Sequence, residues 1–345
     1  MNRRLERLRG SLDYPLLVTT PVNVRYLIGF ESTNPALLVE PERVRLFSDF
    51  RYAEAGRALE GVEFVETARS LLGDLAERLS GTIEFEAHHV SYAGWQTLGA
   101  RGIELLPTRG LVEALRAVKD EEEIDLIRAG TKVTDAAFER IAQERFIGRS
   151  ERELAWRMEQ LLRELGGELL AFPVIVAGGP NAARPHSRPG ERRVAEGDTV
   201  IVDAGASVAG YCSDCTRTFA AGGLSDELGE AYAACRSAQQ AGLEAIRAGV
   251  AARDADAAAR GRIEAAGLGE TFGHGLGHGV GLLVHEAPRL TRESEEELSA
   301  GNVVTVEPGT YLEGRGGIRI EDLVVVREDG AEVLTSFTKE LVSVE

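Results

Sequence analysis

An α/β domain over residues 1–116, followed by an α+β domain over residues 117–345, is the fold class this sequence predicts. Three observations carry it. The first third alternates short apolar runs with helical patterns, and the chain turns to strands and turns after Gly167. Between the two lies a charged stretch with apolar residues at helical spacing. At 345 residues the chain is long enough for two domains and at least one sizeable core.

In the first domain, YPLLVTT, ALLVEP and VRLFSDF read as strands, while RYAEAGRALEG and ARSLLGDLAERLSG read as helices that each close at a glycine. Residues 118–120 read as a connector, and a long helix is predicted to start at about Asp120. Ser150, with Glu153 three residues on, forms a capping-box signature for the helix ERELAWRMEQLLRELGG. Beyond Gly167, FPVIVAGG, TVIVDAGAS, YCSDCTRTFA, NVVTVEPGTYL and IRIEDLVVV read as strands. One helical stretch, DELGEAYAACRSAQQAGLEAIRAG, interrupts them. There is no low-complexity tract and no short-period repeat.

The net charge of −17 argues against nucleic acid or an anionic membrane as the main partner, because both select a basic face. No run of ~18 apolar residues is present for a membrane span, and the basic N-terminal stretch lacks an apolar run of signal-peptide length. Three cysteines make no disulfide framework and suit a reducing compartment. The expectation is a cytoplasmic enzyme with neither a nucleic acid nor a membrane partner.

Cys212-x-x-Cys215 invites a metal or redox reading. On one continuous strand the two thiols would face opposite sides, and no second Cys-x-x-Cys supplies the remaining ligands of a structural zinc site. Small residues in a strand explain them as well. Attention passes to Asp203 and Asp214, which the strand pattern can project to one side. An aspartate in the apolar run TVIVD needs a partner, although one near a hairpin can also cap backbone amides. GHGLGHGVGLLVHEAPR brings His274, His278 and His285 together in what reads as a glycine-rich loop or turn. His274 and His278 are four apart, but glycines and no glutamate separate them, so the helical zinc motif does not apply. Glu307 ends an apolar strand, Glu321 sits inside another, and Arg319 shares the face of Glu321. Four carboxylates packed together would repel one another. Two divalent ions would offset them, and oxygen ligands with one imidazole suit Mn, Co, Zn or Fe.

In the contexts VDAGA, SDCTRT, GHGVG, TVEPG and IRIED, the residues Asp203, Asp214, His278, Glu307 and Glu321 resemble the five ligands of the pita-bread dinuclear metallopeptidases. PHSRPG with His186, and His285 seven residues after His278, resemble the Xaa-Pro branch, prolidase and aminopeptidase P. NVRYLIGF and LFSDFRY look like the creatinase/prolidase N-terminal domain, so the resemblance covers essentially the whole chain.

The resemblance implies a creatinase/prolidase-like domain ahead of a pita-bread catalytic domain, and two divalent ions per subunit (Mn, Co or Zn). Asp203 would chelate one ion, Asp214 and Glu321 would bridge both, and His278 and Glu307 would complete the other. Glu307 would also accept the proton of the attacking water. His186 and His285 would contact substrate and stabilise the tetrahedral intermediate, and Arg289 would meet the substrate carboxylate. His274 and Arg319 would support the site. The implied activity is hydrolysis of the bond before proline in Xaa-Pro dipeptides, with small proline-containing peptides as partners and a homodimer as the assembly. Alternatives are an aminopeptidase P acting on longer peptides, a methionine aminopeptidase, and a non-catalytic peptide-binding module on the same fold. Cys212 and Cys215 depart from the family pattern, where other small or aliphatic residues are usual. Phe172 can wall the proline pocket or simply pack in the core.

Overall fold

The computed structural model describes residues 3–345. Its contacts divide the chain into two units, one ending at Arg116 and one running Ala117–Glu345. The first unit contains α1 (Arg3–Arg9), β1 (Leu16–Val18), α2 (Pro21–Ile28), β2 (Ala36–Val39), β3 (Val44–Asp49), α3 (Ala53–Arg57), β4 (Glu63–Thr67), α4 (Leu71–Arg78), β5 (Thr82–Glu86), α5 (Tyr92–Gly99), β6 (Glu104–Thr108) and α6 (Leu111–Ala117). The strands form one six-stranded sheet in the order β4-β3-β2-β1-β5-β6. Its middle strands β1 and β2 are buried at every residue, which is why they read as unbroken apolar runs. Leu17, Leu38, Phe47, Leu75, Phe85 and Leu98 share the core beneath them. Pro21, two residues ahead of NVRYLIGF, opens α2, and Gly29 closes it at φ 68°. The fully buried Asn23 donates to Glu86 and Glu113 and accepts from Arg116, so this stretch ties the helix to the sheet.

The second unit begins with α7 (Glu121–Ile141) and α8 (Glu151–Glu164). Both open on a capping box, Asp120 with Glu123 and Ser150 with Glu153. There follow β7 (Leu169–Leu170), β8 (Ile175–Gly178), β9 (Thr199–Ala204), β10 (Ala206–Val208), β11 (Tyr211–Cys212) and β12 (Cys215–Ala221). Next come α9 (Asp226–Ala245), α10 (Ala252–Ala265), β13 (Gly277–Gly279), β14 (Glu286–Leu290), β15 (Val303–Val306), β16 (Gly309–Leu312), β17 (Gly316–Arg319), β18 (Asp322–Arg327), β19 (Gly330–Val333) and β20 (Val342–Val344). Helices α7 and α8 share a core with the sheet β20-β12-β9-β8 around Phe138, Met158, Val202 and Phe219. Helices α9 and α10 share another with the sheet β14-β13-β15-β18-β19 around Ala238, Ile263, Leu276, Val304 and Val324.

Four sequence expectations need correction here. YCSDCTRTFA is not one strand: β11 and β12 are separated at Ser213 and Asp214. Gly205 accompanies the break: a Cβ there would lie 2.0 Å from the Ser213 carbonyl oxygen, so the two backbones pass closer than any side chain allows. Glu321 is not inside a strand but in the gap between β17 and β18. The glycine-rich segment is not all loop, since His278 is the central residue of the short strand β13. Its glycines make that strand possible: a Cβ at Gly277 would lie 2.0 Å from the Thr305 oxygen, and one at Gly279 would lie 2.1 Å from the Ala287 oxygen. Helix α10 is absent from the predicted elements because its run of alanines gives little contrast between buried and exposed faces.

Candidate metal centre

Strand pairing and strand breaks bring the acidic residues together. Asp203 lies on β9 opposite Thr216 of β12. Asp214 occupies the gap just before β12, Glu307 follows directly after β15, and Glu321 bridges β17 and β18. At these positions the backbone leaves its ladder and a side chain can turn inward without opposing a neighbouring strand. Glu321 is fixed from both sides. Its amide donates to the Thr216 carbonyl at 3.1 Å, and its Oε2 accepts from Thr216 Oγ1 at 2.7 Å. Behind it Arg217, 2 % exposed, donates to the Glu321 carbonyl and pairs with Asp322 at 2.8 Å.

All ten residues singled out by the sequence line one cavity of about 460 Å³: His186, Asp203, Asp214, His274, His278, His285, Arg289, Glu307, Arg319 and Glu321. Phe172 lines it too. A second depression of about 660 Å³ along α9 contains none of the ten. The two cysteines belong elsewhere. Cys212 sits in the core around Tyr211 and Val280, and Cys215 in the one around Phe138 and Phe219, each as a buried thiol outside any disulfide.

Whether a cation fits can be judged from the donors themselves. Asp203 Oδ1 and Asp214 Oδ1 are buried without a hydrogen-bond partner. Ligand atoms of Asp214, His278 and Glu321 lie within 4.8 Å of one another. His278 Nδ1 contacts the Gly279 carbonyl at 3.1 Å and donates to it whether the ring is neutral or charged, so Nε2 is the nitrogen turned inward. That Nε2 faces Glu307 Oε1 at 3.2 Å and Asp214 Oδ2 at 3.7 Å. An imidazolium could serve those two oxygens, but not the orphaned oxygens of Asp203 and Asp214. Divalent cations serve all of them, and hard oxygen donors with one imidazole are a suitable set. The cost of grouping these acids is plain in their ionisation. Burial, then the charges of Glu321 and Asp203, push Asp214 well above the usual carboxylate range. Burial, then Glu307 and Asp203, do the same to Glu321. Burial also opposes ionisation of Glu307, but its hydrogen bond with His278 outweighs this and holds the carboxyl at about 2.

The flanking residues separate into two groups. His186, His285 and Arg289 are exposed on the cavity side. Burial and then His278, whose ring centre is 4.3 Å away, lower the pKa of His285 and favour its neutral form. His274 and Arg319 face each other through a residue the sequence reading lacks, Tyr311. Arg319 donates to Tyr311 Oη at 3.1 Å, Tyr311 Oη meets His274 Nε2 at 2.8 Å, and His274 Nδ1 meets the Gly275 carbonyl at 2.8 Å. The other end of the guanidinium donates to Asp203 Oδ2 at 2.6 Å and to Thr216 Oγ1 at 3.1 Å. Tyr311 thereby orients the arginine that orients Asp203. Replacing Tyr311 by phenylalanine is expected to lower kcat/KM by roughly 10–100-fold, the usual range for losing a group that orients a metal ligand. Steady-state kinetics with metal analysis in parallel checks this. Unchanged kinetics would remove the link.

Comparison with known proteins points the same way. Residues 125–328 match Metallopeptidase family M24, and residues 4–118 match the Creatinase/Prolidase N-terminal domain. The chain is 33 % identical to the Xaa-Pro dipeptidase of Pyrococcus furiosus over 99 % of its own length and 100 % of that protein's. A solved Xaa-Pro dipeptidase from Bacillus anthracis superposes with a TM-score of 0.95 at 38 % identity, covering 99 % of both chains. An X-Pro aminopeptidase from Thermotoga maritima superposes with a TM-score of 0.90 at 33 % identity, covering 99 % of this chain and 100 % of that one.

Proposed function

The chain belongs to metallopeptidase family M24, and on that premise we propose that it hydrolyses the bond before proline in Xaa-Pro dipeptides, with residues 1–116 as the creatinase/prolidase-like domain and 117–345 as the catalytic one. The observation that carries the reading is the convergence of four carboxylates and His278 on one cavity that also holds His186, His285 and Arg289. Full-length similarity to dipeptidases of two organisms supports it.

Asp203, Asp214, His278, Glu307 and Glu321 would hold two divalent cations, with Mn, Co and Zn as the candidates. When bound, such a pair supplies Lewis acidity and an acidified water near neutral pH. The chain's own residues do the rest. Glu307 Oε1 is engaged by Thr305 Oγ1 at 3.0 Å and by His278, which leaves Oε2 as the oxygen to accept the water's proton. Asp203 is oriented by Arg319, and Glu321 by Thr216. His285, held neutral, donates a hydrogen bond to the oxygen on which charge develops, and His186 contacts the substrate. Phe172, Val284 and Pro185 give the cavity an apolar side for a proline ring. The imide nitrogen of an Xaa-Pro bond has no hydrogen to satisfy there.

Arg289 sets the length preference. Its amide donates to Glu296, and its exposed guanidinium at the cavity can receive a carboxylate in a bidentate pair. A dipeptide places its C-terminal carboxylate directly after proline, whereas a longer peptide puts an amide there. Leu-Pro is therefore expected to exceed Leu-Pro-Gly in kcat/KM by at least about tenfold, the value of one charge-assisted pair. The reverse ratio would favour the aminopeptidase reading that the Thermotoga maritima likeness supports. Hydrolysis of Met-Ala but not Leu-Pro would move the assignment to methionine aminopeptidase, and bound metal without any turnover to a peptide-binding module. A cytoplasmic setting fits three buried thiols outside any disulfide, and a homodimer completes the reading. Light scattering tests the dimer.

A further inference from the structure

Glu151 is fully buried, yet no part of the chemistry above uses it. As the first residue of α8 it would ordinarily face solvent and interact only with the helix N-terminus. Instead its carboxylate reaches across to the segment that carries His186. Oε1 accepts from the Gly178 amide at 2.9 Å and from Asn181 Nδ2 at 2.9 Å. Oε2 accepts from the Gly190 amide at 3.0 Å. Gly178 ends β8 and Gly190 lies beyond His186, so one carboxylate grips both ends of the same loop. The backbone repeats the connection: Glu151 N donates to Arg192 O at 3.0 Å and Arg152 N to Gly190 O at 3.1 Å. Only glycine fits at the first turn of this loop. Gly179 adopts φ +48°, and a Cβ there would sit 2.3 Å from Asp198 Oδ1. His186 is itself exposed, so its own side chain does little to hold the loop in place.

We propose that Glu151 is a positioning residue that fixes His186 over the cavity by clamping the two ends of the 178–190 loop. The proposal rests on the reading of His186 as a substrate contact. A carboxylate suits this task better than an amide, because both oxygens must accept. In Glu151→Gln one of the two positions becomes an N–H facing another N–H, and one loop end is released. A displacement of about 1 Å in a group that contacts the reacting centre can lower turnover by up to ~100-fold.

The test is a double-mutant cycle on the full, Mn-loaded protein with Leu-Pro as substrate, using Glu151→Gln, His186→Ala and the double variant. Glu151→Gln is expected to lower kcat/KM roughly 10–100-fold with metal content unchanged. The double variant is expected to lie within about twofold of His186→Ala, because groups acting as a unit are not additive. A Glu151→Gln protein within twofold of wild type overturns the proposal. So does a double variant in which the two losses multiply, since a merely structural role acts independently of His186. If His186→Ala alone leaves kcat/KM unchanged, the substrate-contact reading fails first, visibly and in a single variant, and takes the proposal with it. Should Glu151→Gln not fold, as judged by circular dichroism, Asn181→Ala takes its place in the cycle. It removes one donor and keeps the carboxylate, so a smaller loss absorbed in the same way by His186→Ala is expected, and multiplication again overturns the idea.

Discussion

Glu307→Gln is expected to lower kcat by about three orders of magnitude, within the range attributed to a positioned general base, while the fold stays intact. The amide keeps an acceptor at Oε1, so the bond from Thr305 Oγ1 and the approach of His278 survive. What disappears is the basic oxygen at Oε2. Glutamate and glutamine have nearly the same volume, and Val306 and Pro308 on either side pack the backbone of this turn regardless of the charge. Burial opposes ionisation of Glu307, yet the contact with His278 keeps it a carboxylate, so the wild-type group is available as a base across the neutral range. Single-turnover kinetics on Leu-Pro, with metal content and circular dichroism measured on the same samples, separates loss of the base from loss of the ions. Turnover within tenfold of wild type at full metal content would transfer the proton-accepting role to another residue.

The carboxylates were legible in the sequence because an acid in an apolar strand demands a partner. Asp203 in TVIVDA and Glu307 in VVTVEPG are both of this kind. The manner of their convergence was not. Asp214, Glu307 and Glu321 stand where strands stop and restart, and strand breaks leave little trace in a pattern of alternating residues. Gly205, whose backbone packs against the Ser213 carbonyl beside Asp214, looks in sequence like an ordinary turn glycine. Tyr311 escaped for a related reason. A tyrosine in GTYL is a common strand residue, and only the fold places its hydroxyl between His274 and Arg319.

The buried charges behind the site were equally hidden. Glu151 reads as a helix-start glutamate, and Asp256 and Arg260 lie in α10, the helix missing from the predicted elements. In the structure Arg260 donates to the Phe272 and His274 carbonyls, and Asp256 accepts from the Leu276 amide. Lys119 and Glu286, 1 % and 5 % exposed at their side chains, pair beside His285. Each histidine-bearing segment is thus held from the side away from the cavity by a charged group. This lets glycine-rich backbone stay ordered where close approach of strands excludes larger residues.

Removing the metal should reveal the strain of grouping these acids. Chelation followed by desalting is expected to abolish Leu-Pro hydrolysis and to lower Tm, with both recovered on adding Mn, Co or Zn. Ligand binding to the native state stabilises by about 2.7 kcal/mol at one hundred times Kd for a single site. For a catalytic unit of this size that corresponds to roughly 5–10 °C. Asp214→Asn provides the sharper contrast. Asp214 is buried beside Glu321 and Asp203, and its Oδ1 has no partner. Neutralising it removes repulsion from the metal-free protein and a ligand from the loaded one. The metal-free variant should therefore melt at or above metal-free wild type, whereas its gain on adding Mn should be less than half the wild-type gain. Scanning calorimetry on four samples, both proteins with and without metal, decides the matter. If Asp214→Asn gained as much from the ion as wild type, Asp214 would not be a ligand. If it melted well below wild type without metal, the acids would be stabilised by something other than cations, and the dinuclear reading of the cavity would fall.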